Sequence, residues 1–136
     1  FFIIENISLK PYQYTWLNSF AKFTDIEKNF EIDYWGVSNK NLSKKIVDYS
    51  NNNLVDENIC LYGDIFAKEL ITNKKFSCFK RYNQLDAAKD RPLFVYKNMR
   101  QVKRSNPKDC ELIWNETYKY SFYDKKISVG TAWFCN

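Results

Sequence analysis

Ile59-Cys60-Leu61-Tyr62-Gly63-Asp64-Ile65-Phe66-Ala67-Lys68-Glu69-Leu70-Ile71-Thr72 is the stretch that decides the fold. Its first four residues form a short apolar run of the kind found in a buried strand. Gly63 and Asp64 make a turn, and Asp64 is placed to cap a helix running to about Thr72, its carboxylate accepting an orphan backbone N–H. Phe66, Leu70 and Ile71 are expected to face the sheet. Phe76-Ser77-Cys78-Phe79 follows as a second strand and Pro92-Leu93-Phe94-Val95-Tyr96 as a third, with room for a helical turn from Gln84 to Asp90 between them. Strands alternating with helices predict parallel βαβ crossovers.

Working outward, Asp109 to Asn136 reads as a two-stranded hairpin with Asp124-Lys125-Lys126 at its corner. Alternation puts Cys110, Leu112, Trp114, Tyr118 and Tyr120 on one face of the first strand, Glu116 being the exception. Ile127, Val129, Thr131, Trp133 and Cys135 share a face of the second. On the N-terminal side, Phe30-Glu31-Ile32-Asp33-Tyr34-Trp35 also alternates, and Gly36 can take φ > 0 and end that strand sharply. Ser38 is spaced as the N-cap of a helix to about Ser50. Leu42, Ile46 and Tyr49 form the helix's apolar stripe, and Val37 with Leu42 forms a hydrophobic staple. The expectation is one α/β domain over residues 1–136: a mixed sheet with parallel βαβ units and a C-terminal antiparallel hairpin.

Composition narrows the chemistry. The chain has 136 residues, enough for one domain with a real core, and its aromatic content is 18%. It contains no histidine, which removes the usual acid–base group at neutral pH and the commonest metal ligand. With three glycines (Gly36, Gly63, Gly130), neither usual Gly-rich phosphate cradle can be built. The four cysteines lie at least eighteen positions apart, without the close pairs of a structural zinc site, so they read as buried thiols or disulfides. No cofactor or metal is indicated. Phe1-Phe2-Ile3-Ile4 is too short for a membrane helix, which needs about 20 apolar residues, or for a signal peptide core of about 7–15.

Two motifs carry a resemblance. Pro11-Tyr12-Gln13-Tyr14-Thr15-Trp16-Leu17-Asn18 and Phe30-Glu31-Ile32-Asp33-Tyr34-Trp35-Gly36-Val37-Ser38 occur in that order, and the stretch from Lys10 to Tyr49 resembles the C-terminal segment of bacterial polytopic glycosyltransferases of the dolichyl-phosphate-mannose protein mannosyltransferase type. In that family the first run follows the last membrane helix. The resemblance implies that residues 1–9 are the exit of such a helix and that the domain sits at the cell membrane on the periplasmic or extracellular face. Its partners would be the membrane domain of the same polypeptide and anionic lipid or lipid-linked sugar, with nucleic acid disfavoured. The family's catalytic acid lies among membrane helices absent from this sequence, so the segment is not expected to be catalytic by itself. On that placement disulfides form and persist, and Cys110 with Cys135, on apolar faces of one hairpin, is the candidate pair. A corner at Asp124-Lys125 would set Cys135 opposite Trp114; a wider loop of Ser121 to Asp124 would align the two cysteines.

The candidate ligand-binding residues are Tyr12, Tyr14, Asn18, Asp33, Tyr34 and Trp35, where aromatic rings and a carboxylate could face a sugar. A second candidate surface is basic. Lys74 to Lys108 holds eleven Lys and Arg against Asp86 and Asp90, a net of +9; the whole chain carries +5, so the remainder carries −4. Lys74, Lys75, Lys80, Arg81, Arg100, Lys103 and Arg104 make up the patch, a match for anionic lipid or a phosphate-bearing carrier. Two functions stay open: a non-catalytic extracytoplasmic accessory domain of a membrane glycosyltransferase, or a stand-alone binding module for an anionic partner, a nucleic acid or polyanionic glycan.

Overall fold

The computed structural model describes residues 37–53, 58–85, 90–98, 105–119 and 126–136. Helix α1 (Ser38–Asn53) leads into β1 (Ile59–Tyr62), a single-turn helix α2 (Lys68–Ile71), β2 (Phe76–Lys80), a 3₁₀ turn (Tyr82–Gln84), β3 (Leu93–Asn98), β4 (Glu111–Tyr118) and β5 (Ile127–Cys135). The five strands form one sheet in the order β2-β1-β3-β5-β4. β1 pairs in parallel with both β2 and β3, and β5 runs antiparallel to both β3 and β4. The sheet is mixed, as the alternation of strands with helices and the terminal hairpin require. The strand expected from Phe30 to Trp35 and the segment 1–9 lie outside the described residues.

The helix-side core follows from the periodicities. Leu42 and Ile46 of α1 are fully buried against Ile59 and Leu61 of β1, Phe94 and Tyr96 of β3, and Ala132 and Phe134 of β5. Tyr49, one turn on, packs its ring against Phe94 and Phe134. The helix can lie this close because β5 carries a glycine. A Cβ at Gly130 would stand 2.8 Å from both Leu42 Cδ1 and Ser38 Oγ. On the other face of the sheet Tyr62, Leu93, Val95 and Cys135 form a second cluster, joined by Tyr82 from the 3₁₀ turn. All six residues of β3 are buried, so it is the central strand in packing as well as in order.

Four expectations are corrected. Asp64 does not cap the helix, which starts at Lys68 after Ala67. The intervening chain is held in a bend because the Ile65 carbonyl accepts bonds from the Tyr96 hydroxyl and from Asn39 Nδ2. A helix shortened to one turn presents only Leu70 to the core, and Ile71 is 57% exposed rather than facing the sheet. Phe66 does turn inward, edge-on to Phe79 and Tyr96. Parallel neighbours are expected to be central and covered on both faces; of the three parallel strands, β2 is instead an outer strand among the described residues, with only Phe76 buried. Finally, a register irregularity between Leu112 and Trp114 breaks the alternation of β4. Leu112 stays opposite Trp133, whereas Trp114 comes opposite Ala132 on the α1 face.

All four cysteines are paired. Cys60 is bonded to Cys78 across β1 and β2, with Cα atoms 4.4 Å apart. The register shift after Ile59 makes this possible: Ile59 is opposite Phe76, but Cys60 is opposite Cys78 rather than Ser77. Cys110 is bonded to Cys135, with Cα atoms 4.3 Å apart. Tyr118 opposite Ile127 and Glu111 opposite Phe134 set that register, so the hairpin connection spans residues 119–126, wider than a corner at Asp124-Lys125.

Gly63, directly after β1, is the second close approach. A Cβ there would lie 2.7 Å from two atoms of the Tyr96 ring, which is buried and tethered through its hydroxyl to Ile65. Gly63→Ala should therefore destabilise by about 1–3 kcal/mol, as overpacking does. Thermal unfolding followed by near-UV circular dichroism should show the midpoint falling by several degrees; an unchanged midpoint would mean that Tyr96 yields freely.

Candidate functional site

The connection from β1 to β2 carries α2, which packs on the α1 side, whereas the connection from β2 to β3 carries Tyr82 on the opposite side. The chain leaves β1 towards one edge of the sheet and leaves β3 towards the other. The carboxyl ends of β1 and β3 thus flank a topological switch point, the place where open α/β sheets bind ligands. β1 stops at Tyr62, while β3 continues through Lys97 and Asn98, paired only with β5 among the described strands.

Polar ends of side chains from this region pair in two sets, one on Asp90, three residues before β3, and one on Ser105 and Asn106. The Tyr62 ring is buried and its hydroxyl donates to the Asp90 carboxylate. The Lys80 ammonium, from the end of β2, donates to the same carboxylate, with the side chains 39% and 19% exposed. The hydroxyl of Tyr82 donates to the Ser105 carbonyl, and buried Lys97 donates to Asn106 Oδ1 at 2.6 Å. Burial, then the bond to Asp90, pushes the Tyr62 phenol above its ordinary range. The same carboxylate raises Lys80. Both groups therefore keep their protons at neutral pH; the single hydroxyl proton of Tyr62 is committed to Asp90, so of the two it is Lys80 that has donors to offer a further anion. Burial pushes Lys97 the other way. Lys80 carries three N–H donors and gives one to Asp90.

Four of the seven basic residues expected to form one patch are described, and they lie at the two ends of β2. Lys74 and Lys75 precede the strand and Lys80 and Arg81 end it, roughly 17 Å away at 3.3 Å per residue. Lys75 donates to the Ser50 carbonyl of α1, and Lys80 belongs to the cluster above. Arg100, Lys103 and Arg104, with Tyr12, Tyr14, Asn18, Asp33, Tyr34 and Trp35, lie outside the described residues. Tyr62, Asp90 and Lys97 were not legible as a group. The available signals were a tyrosine closing a strand immediately before a turn glycine, and a lysine continuing an apolar run.

A surface cavity of about 310 Å³ lies between α1 and α2, lined by Lys40, Asn41, Lys44, Val47 and Glu69. Among the described residues there is no group of three or more His, Cys, Asp or Glu that could hold a metal, and no helix long and apolar enough to cross a membrane. No family model, curated protein or solved structure matches the chain.

Proposed function

We propose that the chain is a non-catalytic extracytoplasmic accessory domain of a membrane glycosyltransferase, which helps position an acceptor or a lipid-linked sugar. The observation that carries this reading is the pairing of all four cysteines between neighbouring strands. Structural disulfides of this kind belong to oxidising compartments, where the resemblance of Lys10–Tyr49 would also put the domain. The switch-point cluster supplies what such a role needs. Lys80 offers an ammonium at the carboxyl end of a parallel strand, and Asp90 and the buried Tyr62 hydroxyl fix its position. A phosphate on a lipid carrier is the anion this arrangement fits best, and the groups involved bind and orient it without forming or breaking a bond.

The test is a sugar-transfer assay in membranes that contain the coding frame's full polypeptide. Lys80→Ala should raise the KM for the polyprenyl-phosphate sugar several-fold with kcat little changed, because it removes binding rather than chemistry. The isolated chain should transfer no sugar. Transfer by the isolated chain would overturn the accessory role, and a coding frame without membrane helices would overturn the attachment to a glycosyltransferase.

A further inference from the structure

Trp114 lies well away in sequence from the residues of the switch-point cluster, on the α1 face of the outer strand β4, and its surroundings are ordered around it. Its indole N–H donates to Glu116 Oε2 at 2.8 Å. The other oxygen of Glu116 accepts from Asn41 Nδ2 at 2.9 Å. One turn along α1, the Lys45 ammonium sits 4.0 Å from the Trp114 ring centroid. A further turn on, the Tyr49 hydroxyl donates to Glu111 Oε2 at 3.3 Å. Asn41, Lys45 and Tyr49 recur every four residues and so form one row along the helix. That row runs beside β4 and meets Glu116, Trp114 and Glu111 in turn.

This is a half-exposed aromatic plate with its orientation fixed in advance. Trp114 remains 37% exposed with Lys45 over one of its faces, so part of the ring surface is open to a ligand. A single exposed cation–π contact is weak, and a ligand can displace the lysine at little cost. The groups at the ring are a carboxylate, an amide bonded to it and an ammonium, which together put polar donors and acceptors at its rim. Glu116 lies at the ring's edge and Lys45 over its face, so the two charges in contact with the ring offset each other and give a phosphodiester chain no net attraction, which argues against a stacked nucleobase. A neutral ring rich in hydroxyls matches both the apolar plate and its polar rim.

We propose that the Trp114 surface, with Asn41, Lys45 and Glu116, is a docking site for a pyranose ring of a neutral glycan. The choice of a sugar rests on the glycosyltransferase reading above; the site itself rests on the geometry of α1 and β4.

The chain contains four tryptophans and therefore gives four indole N–H signals in a ¹⁵N spectrum. The signal missing from Trp114→Phe assigns Trp114. Titration with two- to four-unit oligomers of glucose, mannose and N-acetylglucosamine should shift that signal saturably for at least one series. Trp114→Ala should weaken the apparent affinity tenfold or more, read from the ligand's own resonances, and Asn41→Ala several-fold. Both variants should keep the remaining indole signals in place, which separates lost binding from lost folding. Absence of any shift at tens of millimolar sugar, or equal binding by Trp114→Ala, would overturn the site. Neither outcome bears on whether Lys80 lowers the KM for a lipid-linked donor, so failure here is distinguishable from failure of the accessory role.

Discussion

Replacing all four cysteines by alanine should lower the stability of the chain by about 6 kcal/mol, the largest effect expected of any change considered. Each bond closes a loop, of sequence separation 18 for Cys60–Cys78 and 25 for Cys110–Cys135. Loop-closure entropy assigns about 3 kcal/mol to each, and loop length enters only as a logarithm, so the two should differ by a few tenths. Against a total of about 5–15 kcal/mol for a domain, the loss of both leaves little or nothing. The two bonds tie opposite outer strands of the described sheet, β2 and β4, to their inner neighbours, but Cys60 and Cys135 flank the same residue, Leu93 of β3, within one buried cluster. The losses of the single-pair variants should therefore depart from strict additivity, by about 0.5 kcal/mol or more, because the two bonds couple through that neighbour. In urea, each should move the midpoint by about 1–3 M for an m-value of about 1–3 kcal/mol/M. A fully reduced chain with a midpoint within a few tenths of molar of the oxidised one would show that the strands hold their register unaided.

Much of this frame was legible because its signals are local. The apolar run Ile59–Tyr62, the run Leu93–Tyr96 and the helical stripe Leu42–Ile46–Tyr49 each state their own period, and the sheet follows from them. What failed were features set by tertiary contacts. Asp64 looks like a cap, but two bonds to the Ile65 carbonyl from Tyr96 and Asn39, each more than twenty positions distant, keep the chain bent until Ala67. Apart from Glu116 the alternation of β4 puts Trp114 on the face of Leu112, yet the irregularity beside Ile113 moves Trp114 to the helix face. Cys60 meets Cys78 only through a register shift that neither strand announces. The switch-point cluster was hidden for the same reason. Tyr62, Lys80 and Asp90 come from separate segments, and only the pairing of β1 with β2 and β3 brings their polar ends together. In the basic stretch, the four described residues of the expected patch stand at the two ends of β2, Lys74 and Lys75 before it and Lys80 and Arg81 at its close.

Phe94→Ala should be the most damaging single substitution in the core. The side chain is fully buried, at the second position of β3. Its ring meets Tyr49 of α1 at 5.9 Å, Phe76 of β2 at 6.0 Å and Phe134 of β5 at 5.1 Å, the first two edge-on. One residue thus joins the helix to strands on both sides of the sheet. Truncating a buried phenylalanine costs about 3–5 kcal/mol, part of it from the cavity left behind. The neighbours here are rings anchored in three separate elements, which cannot all move in to fill the space. Lost aromatic pairs, at about 0.5–1.5 kcal/mol each, put the expected value in the upper half of that range. Phe94→Leu keeps most of the volume and should cost about 1.5 kcal/mol or less. Phe79→Ala, at a half-buried position on the outer strand β2, should fall clearly below Phe94→Ala. Chemical unfolding of the three variants, with the disulfides intact, ranks them directly. A cost for Phe94→Ala below that of Phe79→Ala would mean that the centre of this core lies elsewhere.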